Sequence, residues 1–580
     1  MVKNPLRKRV FRELRGELGK YLVIFLLLTV TIAFVSGFLV ADGSMIKAYN
    51  ESFEKYNVEY GNFRVKDKLN PGQIQYISRS GITLYENFYA EEPMDNDSVL
   101  RMFRIREEVN RPCLMRGTLP AGKNEIAVDR MYADNNSLTV GDLISSGSCT
   151  WTVTGLIALP DYSCLFQDNS DAMFDSIRFG VAVLSNSGFD ALGTENLHYS
   201  YSWVYNTPPE NELQEKDMAE DVMEVINQEA ALETFVPRYQ NQAINFTGDD
   251  MGGDRAMMIM LLYIVIAIMA FVFTVTIGNT ISKETNVIGT LLASGYTKNE
   301  LVVHYMACPV LVCLISALVG NTLGYTVFEN VCADMYYGSY SLTTYETLWN
   351  MDAFVLTTVV PVLMMTAITW LSLRKKLSLP PLKFLRRDLR KKQKTHVFPL
   401  PNFFPFLMRF RLRVIFQNLG SYLILFVGIL FANLLLMFGL LFPSALQHYQ
   451  DTMPDNMLSR NTTMLSVPAD VSNDKRKLES LFKMMEFMDE VETENEDTEK
   501  FSAYSLMTIP EKYGSETVTL YGVEPGSKYI SGEFEEDTVL ISSAYADKYG
   551  IVPGDTVELK EEYEDRTYCF TVTGEYDYMG

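Results

Sequence analysis

The segment Tyr21–Ala41 reads YLVIFLLLTVTIAFVSGFLVA and contains no acidic or basic side chain. At the α-helical rise per residue, it is long enough to cross the hydrocarbon core of a bilayer. It is longer than the usual apolar region of a secretory signal and lacks a clear cleavage pattern, so we expect it to be retained. Four further stretches have the same character, and together the five predict a polytopic α-helical membrane protein: Ala256–Ile281, Leu301–Phe328, Phe354–Leu373 and Leu419–Phe442.

Charge and hydrophobicity occupy different parts of the chain. The 580 residues are 48% hydrophobic and carry a formal net charge of −22, yet the mean hydropathy is +0.02. Residues 43–255 hold 33 acidic and 17 basic side chains, and residues 444–580 hold 29 acidic and 11 basic ones. This separation argues against an ordinary soluble enzyme. It predicts two large acidic domains beside a membrane domain.

The remaining 22 basic residues predict the topology. Seven lie in residues 1–20, two in 282–300 and thirteen in 374–413. Short basic segments next to membrane spans stay on the cytosolic side, and five alternating spans place all three segments on one side. We therefore expect these segments to be cytosolic and the two acidic regions to be extracytoplasmic. The same basic runs could bind nucleic acid, but beside membrane spans this interpretation is much weaker, and we expect no nucleic-acid partner.

These patterns give six predicted domains. Both extracytoplasmic domains are expected to be α+β, the first with a helix within Glu210–Glu233. In chain order we predict a cytosolic amphipathic amino terminus with the first span (1–42), the first extracytoplasmic domain (43–255), a membrane domain with spans two to four and the cytosolic loop 282–300 (256–373), a basic linker (374–418), the fifth span (419–443) and the second extracytoplasmic domain (444–580).

The chain contains an internal repeat. EIAVDRMYADNNSLTVGDLI (125–144) aligns without gaps with TVLISSAYADKYGIVPGDTV (538–557), and TVTG closes each block at 152–155 and 571–574. LGKYLVIF before the first acidic region likewise recurs as LGSYLILF before the second. Turn residues between β-branched runs predict short strands in both blocks. We interpret the repeat as a duplication, and by extension of that logic we expect a fragment lacking roughly 200 residues.

Two patterns imitate ligand sites. Gly117–Asn124 has the GxxxxGK spacing of a phosphate-binding loop, but Asn124 stands where a hydroxyl would hold Mg²⁺ and a strand pattern follows. We therefore expect no nucleotide site there. Asp168, Asp171 and Asp175 resemble a calcium loop without its central glycine, and an exposed acidic loop is the better interpretation. No HExxH, GxSxG or CxxC pattern occurs.

Isolated polar and sulfur side chains are interpreted as structural. Seven cysteines in 580 residues do not make a disulfide scaffold, although Cys149 and Cys164 could pair outside the cell. We expect His304, at the start of the third span, to be a packing or interfacial residue. Asn321 and Asn433, inside spans, are expected to make interhelical hydrogen bonds rather than to line a substrate path.

The loop SKETNVIGTLLASGYTKNEL (282–301) carries the most information about function. An apolar stripe formed by Val287, Ile288, Leu291 and Leu292 predicts a short amphipathic helix. Gly295 should end it, and Thr297 should cap a second helix with Glu300 at the capping-box position. Two interpretations remain open: an interfacial helix on membrane lipids, or a helix that docks into a groove on a cytosolic partner.

The docking interpretation assigns roles within the loop. Ile288, Leu291 and Leu292 would be anchors in the partner's groove, whereas Gly289 and Gly295 would permit close approach and the turn.

This loop resembles the IG-x-L-x-A-x-G-[YAF]-[ST] signature that follows the second span of FtsX-like (MacB-type) ABC transporter permeases. The outer blocks resemble the MacB periplasmic-core pattern, and the order of one span, a large outer domain and three spans also matches. One departure is Val287, where the family usually has an acidic residue. The resemblance implies that the ATPase-coupling residues are Glu284, Ile288, Gly289, Leu291, Leu292, Ala293, Gly295, Tyr296 and Thr297.

The resemblance also implies a function. The chain would be a non-catalytic permease subunit of two-unit form in a bacterial plasma membrane, without a cofactor of its own, and ATP would be bound by a separate cytosolic ABC ATPase. It would export a lipophilic or peptide-like substrate, and acidic outer domains suit cationic peptides. The alternative is a non-transporting mechanotransmitter that regulates a cell-wall hydrolase or a sensor kinase. An adhesin or receptor would explain the outer domains but not the loop.

We predict that the linker is inaccessible from outside the cell. In a variant without its own cysteines, Asp388→Cys should not react with a membrane-impermeant maleimide in intact cells and should react after permeabilisation, because basic segments remain cytosolic. Asn96→Cys, in the first acidic region, is the control and should react in both conditions. Labelling of residue 388 in intact cells would overturn this topology.

Overall fold

The structure is a computed structural model. The middle of the predicted linker (387–404) and most of 453–496 lie outside the described residues. The structure describes residues 5–147, 149–171, 173–193, 196–251, 254–386, 405–417, 419–452, 462, 480–482, 484–485, 497–509, 516–523, 526–529, 535, 537–561 and 566–576.

The helices are numbered in chain order. They are α1 Pro5–Gly16, α2 Leu18–Lys55, α3 Pro71–Ile77, α4 Arg130–Asn135, α5 Asn186–Phe189, α6 Glu212–Glu229, α7 Gln242–Met251, α8 Asp254–Lys283, α9 Thr285–Ala293, α10 Lys298–Leu323, α11 Glu329–Ser339, α12 Met351–Phe354, α13 Val360–Lys376, α14 Pro381–Leu385, α15 Phe406–Gln417, α16 Leu419–Thr452 and α17 Ser543–Tyr549. The helix predicted within Glu210–Glu233 is α6.

The strands lie between these helices. They are β1 Gly61–Val65, β2 Ile82–Glu86, β3 Tyr89–Pro93, β4 Val99–Arg104, β5 Cys113–Gly117, β6 Glu125–Asp129, β7 Leu143–Ser146, β8 Cys149–Ala158, β9 Phe179–Leu184, β10 Leu197–Tyr205, β11 Leu232–Pro237, β12 Phe501–Thr508, β13 Thr517–Val523, β14 Thr538–Ser542, β15 Thr556–Lys560 and β16 Thr567–Tyr576.

The chain divides into two compact units. The membrane unit comprises Met1–Glu51, Gly248–Tyr340 and Thr344–Leu440, and the sheet unit comprises Ser52–Thr247, Ser341–Thr343 and Leu441–Gly580. Five helical stretches are long and apolar enough to cross a membrane, and each overlaps one predicted span, so a polytopic membrane protein is confirmed. They are Leu18–Lys55, Gln242–Lys283, Lys298–Ser339, Met351–Lys376 and Phe426–Thr452.

The first span, Leu18–Lys55, and the third span, Lys298–Ser339, approach closely through glycines. A Cβ atom on Gly320 would lie 2.8 Å from the Cγ2 atom of Ile32, and one on Gly324 would lie 2.9 Å from the Cβ atom of Ser36. Small residues four apart allow membrane helices to pack backbone against backbone. The four-residue spacing of Gly320 and Gly324 is the sequence signal for this crossing.

A buried polar cluster joins three spans near this crossing. The Oδ1 atom of Asn321 accepts hydrogen bonds from the hydroxyl groups of Ser36, at 2.9 Å, and Thr357, at 3.0 Å. Its Nδ2 group donates to the Oγ1 atom of Thr358 at 2.8 Å. The predicted interhelical role of Asn321 is therefore confirmed. Asn433 differs, because it lies on the exposed surface of α16 and makes no interhelical bond within the described residues.

The sheet unit contains an eleven-stranded sheet with the order β11-β1-β10-β3-β4-β9-β6-β8-β5, in which β2 pairs with β10 and β7 with β8. One core packs around Phe63, Tyr201 and Trp203 against α6. The other packs β4, β6, β8 and β9 against α4, with Tyr132 fully buried. A second, five-stranded sheet has the order β13-β12-β15-β16-β14.

The two repeated blocks have the same strand order. Each block has three strands. The first strand runs parallel to the last, β6 to β8 and β14 to β16. The second strand pairs antiparallel with the last, β7 with β8 and β15 with β16. Gly141 N donates to Val153 O at 2.8 Å, and Gly554 N donates to Val572 O at 2.8 Å. Both glycines have a positive φ, 106° and 102°, which glycine alone adopts readily.

The blocks differ at the cap of their helices. Asp129 accepts from Met131 N at 2.8 Å, and its other oxygen accepts a short hydrogen bond from the Ser341 hydroxyl. Because Asp129 is fully buried, its pKa is raised to about 6. The equivalent residue in the second block is Ser542, which caps its helix without a carboxylate. The Ser341 contact therefore uses a carboxylate for which the second block has a serine.

Candidate functional site

The predicted coupling loop forms the short helix α9 between the ends of α8 and α10. Gly295 ends it with φ +96°, and Tyr296 N donates to Leu291 O at 3.1 Å. Thr297 N donates to the Glu300 Oε2 atom at 2.8 Å, and Glu300 N donates to the Thr297 Oγ1 atom at 3.3 Å. The predicted turn and the predicted capping box are both confirmed.

The apolar stripe of α9 faces the chain's own core. Ile288 is fully buried, and Leu291 and Leu292 pack partly buried against the same cluster, whose other members include Leu373 and Phe384. The structure thus differs from the interpretation in which Ile288, Leu291 and Leu292 anchor a partner's groove. In this arrangement they already contact residues of the same chain.

Helix α14 is the reason for the difference. A Cβ atom on Gly289 would lie 2.9 Å from Leu385 N and 3.0 Å from the Cγ atom of Leu385. The backbones of α9 and α14 therefore approach closely at this point. Gly289 therefore permits close approach as predicted, but toward α14 rather than toward a partner. The sequence predicts a basic linker over 374–418 and no helix within it, so the cover that α14 provides is not visible from the sequence.

Glu284 ties α9 to two other helices. Its Oε2 atom lies 2.6 Å from the Nη2 atom of Arg9 and accepts a hydrogen bond from the hydroxyl of Tyr305, also at 2.6 Å. A separate hydrogen bond joins the start of α10 to the segment before α14, because Lys298 Nζ donates to Ser378 O at 2.7 Å. A charge-assisted bond that is partly shielded from water is stronger than an exposed ion pair. Glu284 thus holds α1, α9 and α10 together.

The opposite face of α9 is exposed. Val287, where the resembled family usually has an acidic residue, is 40% exposed. Tyr296 is half-buried, and Thr297 is exposed. The exposed face consists of Asn286, Val287, Thr290, Ala293 and Ser294. This outer face is accessible, whereas Ile288 of the apolar stripe is covered.

In both patterns that imitate ligand sites, backbone N–H groups donate hydrogen bonds to carboxylates of the same chain. Ala121 N and Gly122 N both donate to the Glu125 carboxylate at 2.8 Å, and strand β6 follows. These bonds lower the pKa of Glu125, and they use backbone groups that a phosphate would need. Asp171 similarly accepts from Asp168 N at 2.9 Å. Within the described residues, no group of three or more metal-ligating side chains converges.

The cysteines and His304 have structural positions. Cys149 is exposed and Cys164 is buried, and both are free thiols. Cys308 and Cys313 are buried in the third span. His304 is buried and packs edge-on against Tyr305 with ring centroids 5.0 Å apart.

A buried carboxylate in the first acidic region was not foreseen. Glu59 accepts hydrogen bonds from Asn110 at 2.6 Å, Asn62 at 2.7 Å and the Ser202 hydroxyl. Burial raises its pKa. Because three donors satisfy Glu59, this cluster stabilises the fold, and no space for a ligand is needed to explain it.

Comparison with known families assigns the region around α9. Residues 259–381 match the model of the FtsX-like permease C-terminal domain. The match runs from α8 to the start of α14 and supports the FtsX-like family and an ABC transporter permease-type role. Proteins of that family are generally non-catalytic membrane subunits that typically partner with a cytosolic ATPase. No curated protein matches the chain.

We predict that Gly289→Leu separates α9 from α14. The added side chain would overlap Leu385, and overpacking of this kind costs about 1–3 kcal/mol. Amide hydrogen exchange in residues 382–385 should therefore rise about tenfold or more. Ala293→Leu, on the exposed face of the same helix, is the matched control and should leave this exchange unchanged. Equal protection of 382–385 in both variants would show that the contact does not hold α14.

Proposed function

We propose that this chain is the membrane subunit of an ABC transporter and that a separate cytosolic ATPase docks on the exposed face of α9. The observation that carries the proposal is the two-sided character of α9, which packs inward through Ile288 and Gly289 and exposes Val287 and Thr290. Glu284 supports the same contact indirectly, since it fixes α9 to its neighbours rather than touching the ATPase.

The contacts of α9 suggest how ATP-driven motion would spread. A push on its exposed face would be transmitted to α14 through Gly289 and to α1 through Glu284. Helix α14 follows the fourth span, and α1 precedes the first span. Displacement of α9 would thus move several spans together, because packed helices shift as bodies rather than deform.

The partner's surface should be apolar opposite Val287. An acidic residue at this position would favour a basic partner, whereas a half-exposed valine favours an apolar contact with a polar rim. Lys283, one turn before Val287, is already paired with Glu17 of the same chain at 3.2 Å, so its charge is in part satisfied within the membrane unit.

The shared strand order of the two blocks supports duplication. The matched hydrogen bonds at Gly141 and Gly554 repeat in the same order at corresponding residues. We infer that both acidic regions derive from one MacB-core-like domain, and that the chain is a two-unit permease whose basic segments face the cytosol and whose acidic regions face outward.

The proposed substrate is a lipophilic or peptide-like molecule that is exported. Acidic outer domains attract cationic peptides over distances of about a Debye length. The alternative is a mechanotransmitter that regulates a cell-wall hydrolase or a sensor kinase. The polar side chains around Asn321 bond one another across three spans, which suits either function, because both require a bundle that transmits motion. Transport of a labelled cationic peptide across the membrane of proteoliposomes would distinguish the export function from the regulatory one.

We predict that Val287→Arg lowers co-purification of the cytosolic ABC ATPase partner by about tenfold or more, because a charge buried unpaired at an interface costs several kcal/mol. ATP hydrolysis by the reconstituted complex should fall in parallel. Val140→Arg is the matched control, since Val140 is a similarly exposed valine, at 44%, in the first acidic region. Unchanged co-purification and ATPase activity with Val287→Arg would remove α9 as the docking site.

A further inference from the structure

Residues 341–343 connect the third candidate span to the fourth. They nevertheless belong to the sheet unit, whereas Tyr340 before them and Thr344 after them belong to the membrane unit. All three residues of the segment are buried, Ser341 completely. Both ends of this short buried segment therefore continue, through peptide bonds, into the membrane unit.

Two groups of the first acidic region hold Ser341. Its backbone N–H donates to Ser163 O at 2.8 Å, and its hydroxyl donates a short hydrogen bond to the Oδ2 atom of Asp129. Ser163 and Asp129 are themselves buried. A hydrogen bond to a buried carboxylate is stronger than an exposed one, because water cannot replace either partner. We call these two bonds the Ser341 clasp.

Ser163 extends this contact to the segment that leads into the second span. Its hydroxyl oxygen lies 3.0 Å from the carbonyl oxygens of Ala243 and Ile244 and 2.8 Å from the Oγ1 atom of Thr247. The residue after Thr247 already belongs to the membrane unit. Segments that lead into the second, third and fourth spans are therefore bonded to one another within the sheet unit.

The second block shows that the helix cap alone does not require a carboxylate. Ser542 stands at the position of Asp129, and its hydroxyl accepts a hydrogen bond from Tyr545 N at 3.2 Å. A buried carboxylate is costly unless donors satisfy both of its oxygens. One oxygen of Asp129 accepts from Met131 N as the cap, and the other accepts from Ser341. The clasp, rather than the cap, explains the carboxylate.

We propose that the Ser341 clasp is a force-transmitting link, through which displacement of the third and fourth spans is carried to the first acidic region. Ser341 is a positioning residue in this role, because it acts by fastening the segment 341–343. The transmitted force rests on the proposed function, since it needs spans that the ATPase moves. The clasp itself can be tested without an ATPase.

The reactivity of a buried thiol measures the clasp. The seven cysteines are first replaced, with serine at Cys164 to keep its contact with Thr247. Leu342→Cys then places a thiol on the buried segment, and in nanodiscs this thiol should react slowly with a maleimide. Ser341→Ala should raise the rate about tenfold or more, because it leaves a buried carboxylate oxygen without its donor.

Two further variants separate the clasp from general destabilisation. Ser339→Ala removes an exposed hydroxyl that bonds Met335 O within α11, and it should leave the rate at the parent value. The second comparison is made well above the Asp129 pKa of about 6, where this carboxyl is ionised. In an Asp129→Asn background the effect of Ser341→Ala should shrink below about threefold, because the charge that loses its partner is absent.

The transmitted force is measured during ATP hydrolysis by the complex with the ATPase. With Ser341 in place, the thiol of Leu342→Cys should react as slowly with ATP as without it. In Ser341→Ala, ATP should raise the rate a further threefold or more, about what a strained local opening would give, because moving spans pull on the weakened segment. An ATPase variant that binds ATP without hydrolysing it is the control and should abolish this increment.

Equal thiol reactivity in Ser341→Ala and the parent chain would overturn the clasp. A full effect of Ser341→Ala in the Asp129→Asn background would also overturn it, because Ser341 would then act through another group. If Ser341→Ala reacts equally fast with and without ATP while ATP is hydrolysed, the clasp transmits no force. Failure of the ATPase to bind would instead contradict the proposed function, and with it the transmitted force, but not the clasp.

Discussion

The close contact between Gly289 of α9 and Leu385 of α14 constrains the rest of the membrane unit. No side chain larger than hydrogen fits at this position without displacing α14. The contact allows α14 to cover Ile288 and so turns the apolar stripe of α9 inward. The sequence pattern of α9 is that of a helix that binds a partner or a bilayer by its apolar face. In the structure this face packs against the same chain, and the opposite face is exposed.

Small residues also permit close helix packing within the membrane spans. Gly320 and Gly324 bring the first and third spans into backbone contact, and the cluster around Asn321 joins the fourth span to them. Close packing and satisfied polar groups both favour spans that move as a body. A rigid bundle would transmit the motion of a cytosolic ATPase in either proposed function, transport or a change in the outer domains. The fifth span differs, because the most apolar part of α16 is almost wholly exposed within the described residues.

Much of this architecture could be predicted from the sequence, and the omissions have a common cause. The spans, the turn at Gly295 and the capping box of Thr297 depend on residues close in the chain, so periodicity and capping chemistry reveal them. The repeated strand order follows from aligned turn residues. In contrast, the partners of Glu284 and Gly289 are Arg9 and Leu385, which are distant in the chain. Helix α14 is only five residues long and adjoins a basic run, so no periodic pattern identifies it. The inward orientation of α9 therefore could not be predicted.

The central claim is that α9 and α14 move as one body when the ATPase works. The most direct test is a spin-label distance between Thr290, on the exposed face of α9, and Leu382, which is 56% exposed on α14. A second spin-label pair, between Thr290 and the ATPase, measures whether the distance between the two proteins changes during turnover. We expect the Thr290–Leu382 distance to remain the same in the nucleotide-free and vanadate-trapped states while the second distance shifts. A change in the Thr290–Leu382 distance during turnover would contradict the account, because α9 would then move independently of α14.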